Sequence, residues 1–233
     1  MKLSQALFSQ GLGTRRECDG LILAGHVTLA GAVCDDPHHE VEPEGLILGV
    51  RGELWPYHAK ALVLLNKPAG YECSQKPKHH PSVLSLLPGP LRTRGVQPVG
   101  RLDEDTTGLL LLTDDGALIH RLTSPRKHVA KVYEIRTIDP VTPSQVDELM
   151  RGVVLHDSPL PVRAAACEQT GEHTLRMTLL EGKYHQVKRM VAAAGNSVAA
   201  LHRSSYGVLA LPPDLAPGQW RWLNGADAVL GAG

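Results

Sequence analysis

The stretch GRLDEDTTGLLLLTDDG, residues 100–116, joins a polar half to an apolar half. Its polar half holds three carboxylates, Asp103, Glu104 and Asp105, followed by two threonines, and its apolar half is the leucine run 109–112. A short, continuous apolar run next to turn residues is typical of a fully buried strand. Because such a strand is a rigid support, we expect the carboxylates before it to lie at the strand end, facing a cleft. The stretch therefore predicts a central strand and a candidate site together.

The remainder of the chain after residue 60 alternates short apolar strands with helices. Strands are predicted at LVLLN, GLLLLT, KVYEIRTI, HTLRMTLL and SVAALHRSSYGVLAL, and helices at TPSQVDELMRGV and YHQVKRMVAAAG. The stretch SVLSLLP is predicted to form a short helix or a turn. Thr113 and Asp114 are expected to cap a helix over residues 117–122, and Thr142 to cap one that starts with Pro143. Strand pairs mixed with helices predict an α+β fold, with a mixed, mainly antiparallel sheet flanked by helices, rather than a doubly wound parallel sheet.

The first 59 residues form a separate pattern. Helices are predicted at Leu3–Gln10 and Arg15–Ala24, and strands at residues 27–29, 32–34 and 46–50. Thr14 is placed to cap the second helix. The stretch RGELWPYHAKA, residues 51–61, is interpreted as the connection to the next domain. We therefore expect a small helical-hairpin domain over residues 1–59 and a larger domain over residues 60–233.

Charge is balanced overall but distributed unevenly. The chain has 24 Lys and Arg against 24 Asp and Glu, so its net charge gives no sign of a nucleic-acid partner. Residues 1–59 carry four basic and eight acidic side chains, whereas residues 121–136 carry five basic side chains and one carboxylate. A basic surface, if present, must therefore be local.

Motif content excludes several classes of site. The four cysteines form no CxxC pair, and no GxGxxG or P-loop motif is present, so a zinc ribbon and a nucleotide cofactor are not expected. The pairs His38-His39 and His79-His80 lack metal-ligand spacing and are assigned to loops. No apolar stretch reaches the length of a membrane span, and residues 1–10 lack the apolar region of a secretion signal. We expect a cytoplasmic protein without metal, cofactor or membrane contact.

Four stretches resemble the pseudouridine synthases, specifically the RsuA branch of the RsuA/RluA superfamily. GRLDEDTTGL is similar to the branch's catalytic motif G-R-L-D-x-x-[ST]-x-G-L, and NKPAG, residues 66–70, to its first motif. KVY, residues 131–133, and EGKYHQVKRM, residues 181–190, resemble two further motifs. The first 59 residues resemble the S4 RNA-binding domain that precedes the catalytic domain in this branch. Within the branch, the sequence is most similar to enzymes that act on 16S rRNA of the small ribosomal subunit.

The resemblance implies isomerisation of uridine to pseudouridine, a reaction that needs no metal, redox cofactor or nucleotide. It makes Asp103 the catalytic carboxylate, which either attacks C1′ of the ribose or takes the C2′ proton. The sequence leaves these two routes open. Glu104 and Asp105 fall at variable positions of the motif and are interpreted as solvated or loop-shaping.

Other catalytic roles also follow from the resemblance. Lys188 is the expected cation beside Asp103, with Arg189 as the adjacent alternative; successive helix positions point about 100° apart, so only one of the two can face Asp103 well. Tyr133 is the expected platform for the flipped base, and it could help to remove the C5 proton. Arg101 is expected to fill the space left by that base or to hold the phosphate beside it.

The expected partner is ribosomal RNA, either free or in an assembling small-subunit particle, bound by a monomeric protein. A phosphate-binding rim is predicted from the basic side chains Arg121, Arg126, Lys127, His128 and Lys131. Arg189 is a further candidate RNA contact. In the S4-like domain, Arg15 and Arg16 are expected to face RNA, although Ser4 and Gln5 replace the Asp-Lys pair common near the start of such domains.

Other functions remain open at the level of sequence. The substrate could instead be 23S rRNA or tRNA. In a different class, the chain could be an RNA-binding module without catalysis, or a glycoside or nucleoside hydrolase that uses paired carboxylates. A hydrolase would release free uracil, whereas a synthase releases nothing.

Overall fold

The computed structural model describes residues 1–231. Its contacts divide the chain into two units. The first contains residues 1–61 and 87–97, and the second contains residues 62–86 and the chain from Pro98 onward.

The first unit packs two helices against a small antiparallel sheet. Its elements are α1 (Leu3–Ser9), α2 (Arg15–Leu23), β1 (Val27–Leu29), β2 (Ala32–Val33), β3 (Ile47–Val50), β4 (Glu53–Pro56) and α3 (Gly89–Thr93). The strands pair in the order β2-β1-β3-β4. Leu3, Leu7, Ile22 and Leu48 are fully buried in the core between helices and sheet. The predicted helical pair, hairpin and third strand are therefore present.

The cap of α2 also forms as predicted. The Thr14 hydroxyl accepts a hydrogen bond from the Glu17 backbone N–H, and the Glu17 carboxylate accepts one from the Thr14 N–H. This reciprocal capping box satisfies two N–H groups that the helix itself leaves without a partner.

The interpretation of residues 51–61 as a plain connection was wrong. Residues 53–56 form β4, which pairs with β3 along its whole length. Arg51 and Gly52 both have positive φ, 51° and 85°, which is the backbone of a two-residue hairpin turn. Pro56 is compatible with this strand because β4 lies at the edge of the sheet.

The second unit is built on one large sheet. Its strands are β5 (Leu62–Lys67), β6 (Gln97–Pro98, which begins at the last residue of the first unit), β7 (Thr107–Thr113), β8 (Lys131–Thr137), β9 (Ala166–Gly171), β10 (Thr174–Leu179), β11 (Val198–Tyr206), β12 (Leu209–Ala210) and β13 (Trp220–Trp222). Its helices are α4 (Gly116–Thr123), α5 (Pro143–Arg151), α6 (Gln186–Ala193) and α7 (Asp227–Leu230), with 3-10 turns at Val83–Leu86 and Pro125–Lys127.

The sheet is mixed and mainly antiparallel, as predicted. Its main path runs β13-β5-β7-β11-β8-β10-β9. Along this path of described strands, β7 and β11 pair parallel, and the other neighbours pair antiparallel. The α+β fold class is thereby confirmed.

The leucine run forms the centre of the sheet. All four residues of 109–112 have no exposed surface, in agreement with the predicted buried strand. Leu109 and Leu111 pack with Leu118 and Leu122 of α4, because alternate residues of a strand face the same side. Strand β7 is therefore fixed on both faces, and the loop before it begins from a rigid end.

Helix α4 is capped one residue later than predicted. The Asp115 carboxylate, rather than Thr113 or Asp114, accepts hydrogen bonds from the N–H groups of Ala117 and Leu118, at 3.0 and 3.2 Å. The Thr113 hydroxyl accepts from the Asp115 N–H and so supports the turn before the cap. The predicted capping of α5 by Thr142, with Pro143 in the first position, is confirmed.

Candidate active site

Asp103 lies beside a cavity of about 130 Å³ in the second unit. The walls come from the loop before β7, from β8 and β11, and from the segment that leads into α6. The sequence-predicted residues that line this cavity are Arg101, Asp103, Lys131, Tyr133 and Lys188. Segments that are far apart in the chain therefore meet around Asp103.

A buried lysine anchors the loop that carries Asp103. Lys67, at the end of β5, has no exposed surface, and its Nζ donates to the carbonyl oxygens of Pro68, Glu104 and Thr106 at 3.0, 3.1 and 2.7 Å. Burial lowers the pKa of Lys67, and the nearby acidic groups oppose that shift. The loop is closed further by a hydrogen bond from the Thr106 N–H to the Asp103 carbonyl oxygen, 3.1 Å. These contacts fix the backbone at the candidate catalytic carboxylate and directly after it.

Two side chains of the α6 segment contact the Asp103 carboxylate. Lys188 Nζ lies 3.2 Å from Oδ2, and His185 Nε2 lies 3.2 Å from Oδ1. Lys188 Nζ also lies 2.7 and 2.9 Å from the two carboxylate oxygens of Asp105. One ammonium group therefore bridges two carboxylates.

The contacts within this cluster raise the pKa of Lys188 and lower the pKa of Asp105. Partial burial lowers the pKa of Lys188, but hydrogen bonds to Asp105 and Asp103 outweigh burial and raise it above the ordinary value. Partial burial raises the pKa of Asp105, but the hydrogen bond and charge of Lys188 hold it below its usual value. Asp105 is thus a direct partner of Lys188 and more than the solvated or loop-shaping residue that the motif suggested.

Arg189 points away from Asp103, as the helical spacing requires of the residue after Lys188. Its guanidinium pairs with the carboxylate of Asp157 and donates to the Tyr184 carbonyl oxygen at 3.0 Å. Its predicted role as an RNA contact thus has to compete with an intramolecular ion pair.

Tyr133 and Lys131 lie on the same face of β8, two residues apart. Both are 8% exposed and line the cavity. Lys131 was predicted in the exposed phosphate-binding rim, but it does not belong there, because strand alternation places it beside Tyr133. Its Nζ donates to the Val129 carbonyl oxygen at 2.9 Å and lies 5.1 Å from the centre of the Tyr206 ring. Burial, together with the charge of Arg203, lowers the pKa of Lys131 to about 8.

The other predicted RNA contacts lie on the surface. Arg101 is exposed at the cavity, and in the described part of the chain it forms no ion pair with a carboxylate. Exposed basic side chains follow α4 and the turn after it, namely Arg121, Arg126, Lys127 and His128. Arg15 and Arg16 are exposed at the start of α2, where the Arg15 guanidinium lies 5.2 Å from the Phe8 ring centre.

Within residues 1–231, no group of three or more His, Cys, Asp or Glu side chains is arranged to hold a metal ion. In the same range, no helix is long and apolar enough to cross a membrane.

Three residues of this site were not assigned by the sequence: Lys67, His185 and Arg203. Lys67 and His185 stand inside stretches that the resemblance quoted, but the motif letters alone do not show what each side chain contacts. Arg203 lies on β11, in a segment where the sequence predicted strands without a site. The sequence feature that could have drawn attention to Arg203 is a charged residue within an alternating apolar pattern, LHRSSYGVL.

Comparison with known proteins agrees with this geometry. The family model described as RNA pseudouridylate synthase matches residues 61–193, and the S4 domain model matches residues 1–47. The ribosomal small subunit pseudouridine synthase A of Escherichia coli (strain K12) is 40% identical over 217 residues, which are 93% of this chain and 94% of that protein. The RNA pseudouridine synthase YtzG of Bacillus subtilis (strain 168) is 37% identical over 99% of this chain and 98% of its own length.

A solved structure supports the same assignment. The crystal structure of a pseudouridylate synthase is similar with a TM-score of 0.67 at 33% sequence identity, and the match covers 96% of both chains. With matching family models in the same order along the chain, the resemblance is confirmed: the chain belongs to the RNA pseudouridylate synthase family, with an S4 domain preceding the synthase domain.

Proposed function

We propose that this pseudouridine synthase isomerises a uridine of 16S rRNA in the small ribosomal subunit, with Asp103 as the catalytic carboxylate. The observation that carries the proposal is the double contact on Asp103, by Lys188 on Oδ2 and His185 on Oδ1, inside a cavity that Tyr133 also lines. The choice of 16S rRNA follows the small-subunit enzymes to which the chain is similar.

The geometry suits chemistry at the ribose of a flipped nucleotide. Lys188 Nζ lies 3.2 Å from the Asp103 carboxylate, and that carboxylate either attacks C1′ or takes the C2′ proton. In both routes the N1–C1′ bond breaks, the base turns, and C5 bonds to C1′. Because the uridine must leave its stack first, Tyr133 stacks on the base inside the cavity, and exposed Arg101 fills the gap or holds a phosphate.

RNA binding is assigned to both parts of the chain. Residues 60–233 form the catalytic domain, and Arg121, Arg126, Lys127 and His128 position the phosphates of the substrate beside it. Residues 1–59 form the S4 domain, with Arg15 and Arg16 toward RNA. The protein acts as a monomer in the cytoplasm, on free rRNA or on an assembling small-subunit particle.

The catalytic assignment is tested with Asp103→Asn on 16S rRNA fragments. We expect the variant to lose at least a thousandfold in pseudouridine formation, because the neutral amide can neither attack C1′ nor accept the C2′ proton. The measurement is mass spectrometry or chemical mapping of pseudouridine. Glu104→Gln removes a neighbouring carboxylate that has an exposed side chain, and it should retain activity.

Each alternative function has a distinct outcome in the same assay. Equal activity of wild type and Asp103→Asn would exclude catalysis by this carboxylate. Free uracil among the products would indicate hydrolysis. Pseudouridine in 23S rRNA or tRNA, with none in 16S rRNA, would contradict the proposed substrate.

A further inference from the structure

The inner wall of the cavity holds two polar side chains that the reaction described so far does not use. Arg203 is 2% exposed; its Nε donates to the Leu109 carbonyl oxygen at 2.8 Å, but its Nη2 is buried without a hydrogen-bond partner. Thr106 is 1% exposed, and its Oγ1 is also buried without a partner. Both residues line the cavity beside Asp103. Two buried polar atoms without a hydrogen-bond partner therefore lie in one wall of the candidate active site.

Neighbouring Thr107 shows that the missing partner is particular to Thr106. The Thr107 hydroxyl lies 2.9 Å from Nδ1 of His202, away from the cavity. Buried polar groups in native proteins are almost always hydrogen-bonded, and a hydroxyl can rotate to reach any acceptor nearby. An orphaned hydroxyl in a cavity wall therefore indicates a ligand group that completes it.

The charge of the wall is also uncompensated. Arg203 and Lys131 form no ion pair with a carboxylate within residues 1–231, and each lies 5.1 Å from the Tyr206 ring centre. The ring offers its negative face to both cations, but it carries no charge. A buried guanidinium without an anion is unfavourable, so the wall is suited to a ligand that bears negative charge.

We propose that Arg203 and Thr106 bind the polar edge of the target uracil, and that Arg203 stabilises the negative charge that develops on the base when it leaves the ribose. This inference rests on the proposed function, because it names the groups that handle the base at the same site.

The negative charge on the base comes from the bond that breaks in the reaction. When the N1–C1′ bond breaks, its electron pair stays with the uracil and is delocalised over N1 and the O2 and O4 carbonyl oxygens. C1′ bonds to Asp103, or the C2′ proton moves to Asp103 and a C1′–C2′ double bond forms. C5 then bonds to C1′: in the first route this breaks the bond between C1′ and Asp103, and in the second Asp103 returns its proton to C2′. C5 loses its proton and N1 gains one. In both routes Arg203 acts while the base carries the charge, and it exchanges no proton.

The same wall discriminates between pyrimidines. Uracil presents carbonyl oxygens that accept hydrogen bonds from a guanidinium, whereas cytosine carries an amino group in place of O4. A donor facing that amino group would lack a partner, and sites with such unpaired donors reject the wrong ligand strongly. The Thr106 hydroxyl either donates to a carbonyl oxygen or accepts from N3–H of the uracil.

The charge on the leaving base is tested with Arg203→Met on RNA that carries uridine or 5-fluorouridine at the target position. Removing a donor that stabilises developing charge commonly lowers kcat about 100- to 1,000-fold. We expect a loss of this order for uridine, with a smaller change in KM. Fluorine withdraws electrons and makes the base a better leaving group, so the loss in the single-turnover rate of 5-fluorouridine consumption should be at least tenfold smaller.

A second arginine variant controls for general damage to the sheet. Arg176→Met removes an exposed guanidinium of β10 that pairs with Glu134 of β8 and Glu168 of β9, and it should leave both rates unchanged. If Arg203 serves only to join β11 to β7, Arg203→Met will lose the same factor with both bases. That result would overturn the proposal.

Thr106 allows a test in which stability and activity move in opposite directions. Thr106→Val replaces the orphaned hydroxyl with a methyl group of the same shape, so Tm should rise while kcat/KM falls at least tenfold. Thr106→Ser should keep most of the activity.

Thr137 is a matched control, because its buried hydroxyl donates to the carbonyl oxygens of Asp139 and His173. Thr137→Val should lower Tm without changing the activity of the folded protein. Unchanged activity of Thr106→Val would remove Thr106 from the base-binding wall.

Binding of free 5-fluorouracil, followed by fluorine NMR, separates this inference from the proposed function. Wild type should bind the base more tightly than Arg203→Met, with a larger difference at a pH where the base is ionised, and this readout requires neither RNA nor turnover. If wild type makes no pseudouridine in 16S rRNA but shows this difference, the proposed substrate fails and the base-binding wall stands. If wild type makes pseudouridine and the two proteins bind the base equally, the wall fails and the proposed function stands.

Discussion

The ammonium group of Lys67 lies inside the protein and donates to three carbonyl oxygens, two of which belong to the loop of Asp103. His185 and Lys188 contact the carboxylate of Asp103 itself, and Asp105 completes the cluster. The pairing of Asp103 with Lys188 was foreseen from a motif and from the spacing of a helix. The contacts of Lys67, His185 and Asp105 were not, because they depend on how distant segments meet, which residue spacing within one segment does not reveal.

Because Lys131 is buried, we expect the free energy of unfolding to rise with pH around its lowered pKa. Its pKa is lowered from 10.5 to about 8 by burial and by the charge of Arg203, with Glu181 acting in the other direction. Below pH 8 the amine is protonated in the folded and unfolded states alike, so the penalty of burying its charge is present in full. Between pH 8 and 10.5 the folded protein holds fewer protons than the unfolded chain, so this penalty is relieved as pH rises.

The measurement is urea unfolding of wild type and Lys131→Met between pH 7 and 10. We expect wild type to gain free energy of unfolding relative to the variant as pH passes 8. Lys60→Met removes an exposed amine and should show no such trend. Parallel stability curves for wild type and Lys131→Met would contradict the argument.

At the scale of elements, the prediction succeeded where a pattern was strong. The buried strand β7, the alternating strands β8 and β10, and the capped helices α2 and α5 follow from apolar spacing and cap residues. The missed strands are short or exposed. Strand β4 was interpreted as a linker, β9 is exposed along most of its length, and β13 has three residues. Edge strands of this kind bury too little apolar surface to produce a recognisable alternation of apolar and polar residues in the sequence.

Gly108 controls the contact between the two parallel strands. Its φ is 104°, and a Cβ at this position would lie 2.3 Å from the Arg203 carbonyl oxygen. Gly108→Ala should therefore lower the free energy of unfolding by about 3 kcal/mol, because the backbone conformation is strained and β7 must move away from β11. Gly116→Ala, at the start of α4 with nothing within 4 Å, should instead raise it by about 0.5 kcal/mol. Equal effects of the two substitutions in thermal or urea unfolding would refute this interpretation.

At the scale of the whole molecule, composition and motif order were sufficient for the fold class and the family. The balanced net charge concealed the contrast between an acidic first domain and a basic stretch after α4. Whether a basic side chain faces solvent or the cavity depends on strand alternation and packing. For this reason four residues of the predicted rim are exposed, Arg121, Arg126, Lys127 and His128, whereas Lys131 is buried.

RNA binding should weaken with salt in proportion to the number of phosphate contacts. For a single strand the slope of log Kobs against log salt is about 0.7 per contact, so the double variant Arg126→Gln/Lys127→Gln should reduce its magnitude by about 1.4. Filter binding or fluorescence anisotropy between 50 and 300 mM salt measures this slope. Lys60→Gln is the control at another exposed position. A double variant with the wild-type slope would remove these two residues from the RNA interface.

The parallel pairing of β7 with β11 also determines how early the cavity can form while the chain is being synthesised. Thr107 and His202, neighbours in that pairing, are 95 residues apart, and β11 lies between β7 and β8. The centre of the sheet therefore cannot close until β11 has left the ribosome, and a long-range closure of this kind is slow compared with local hairpins. The sheet of the first unit is made from residues 27–56, so its strands pair over much shorter separations along the chain. A nascent chain would thus present a folded RNA-binding domain well before it holds a completed active site.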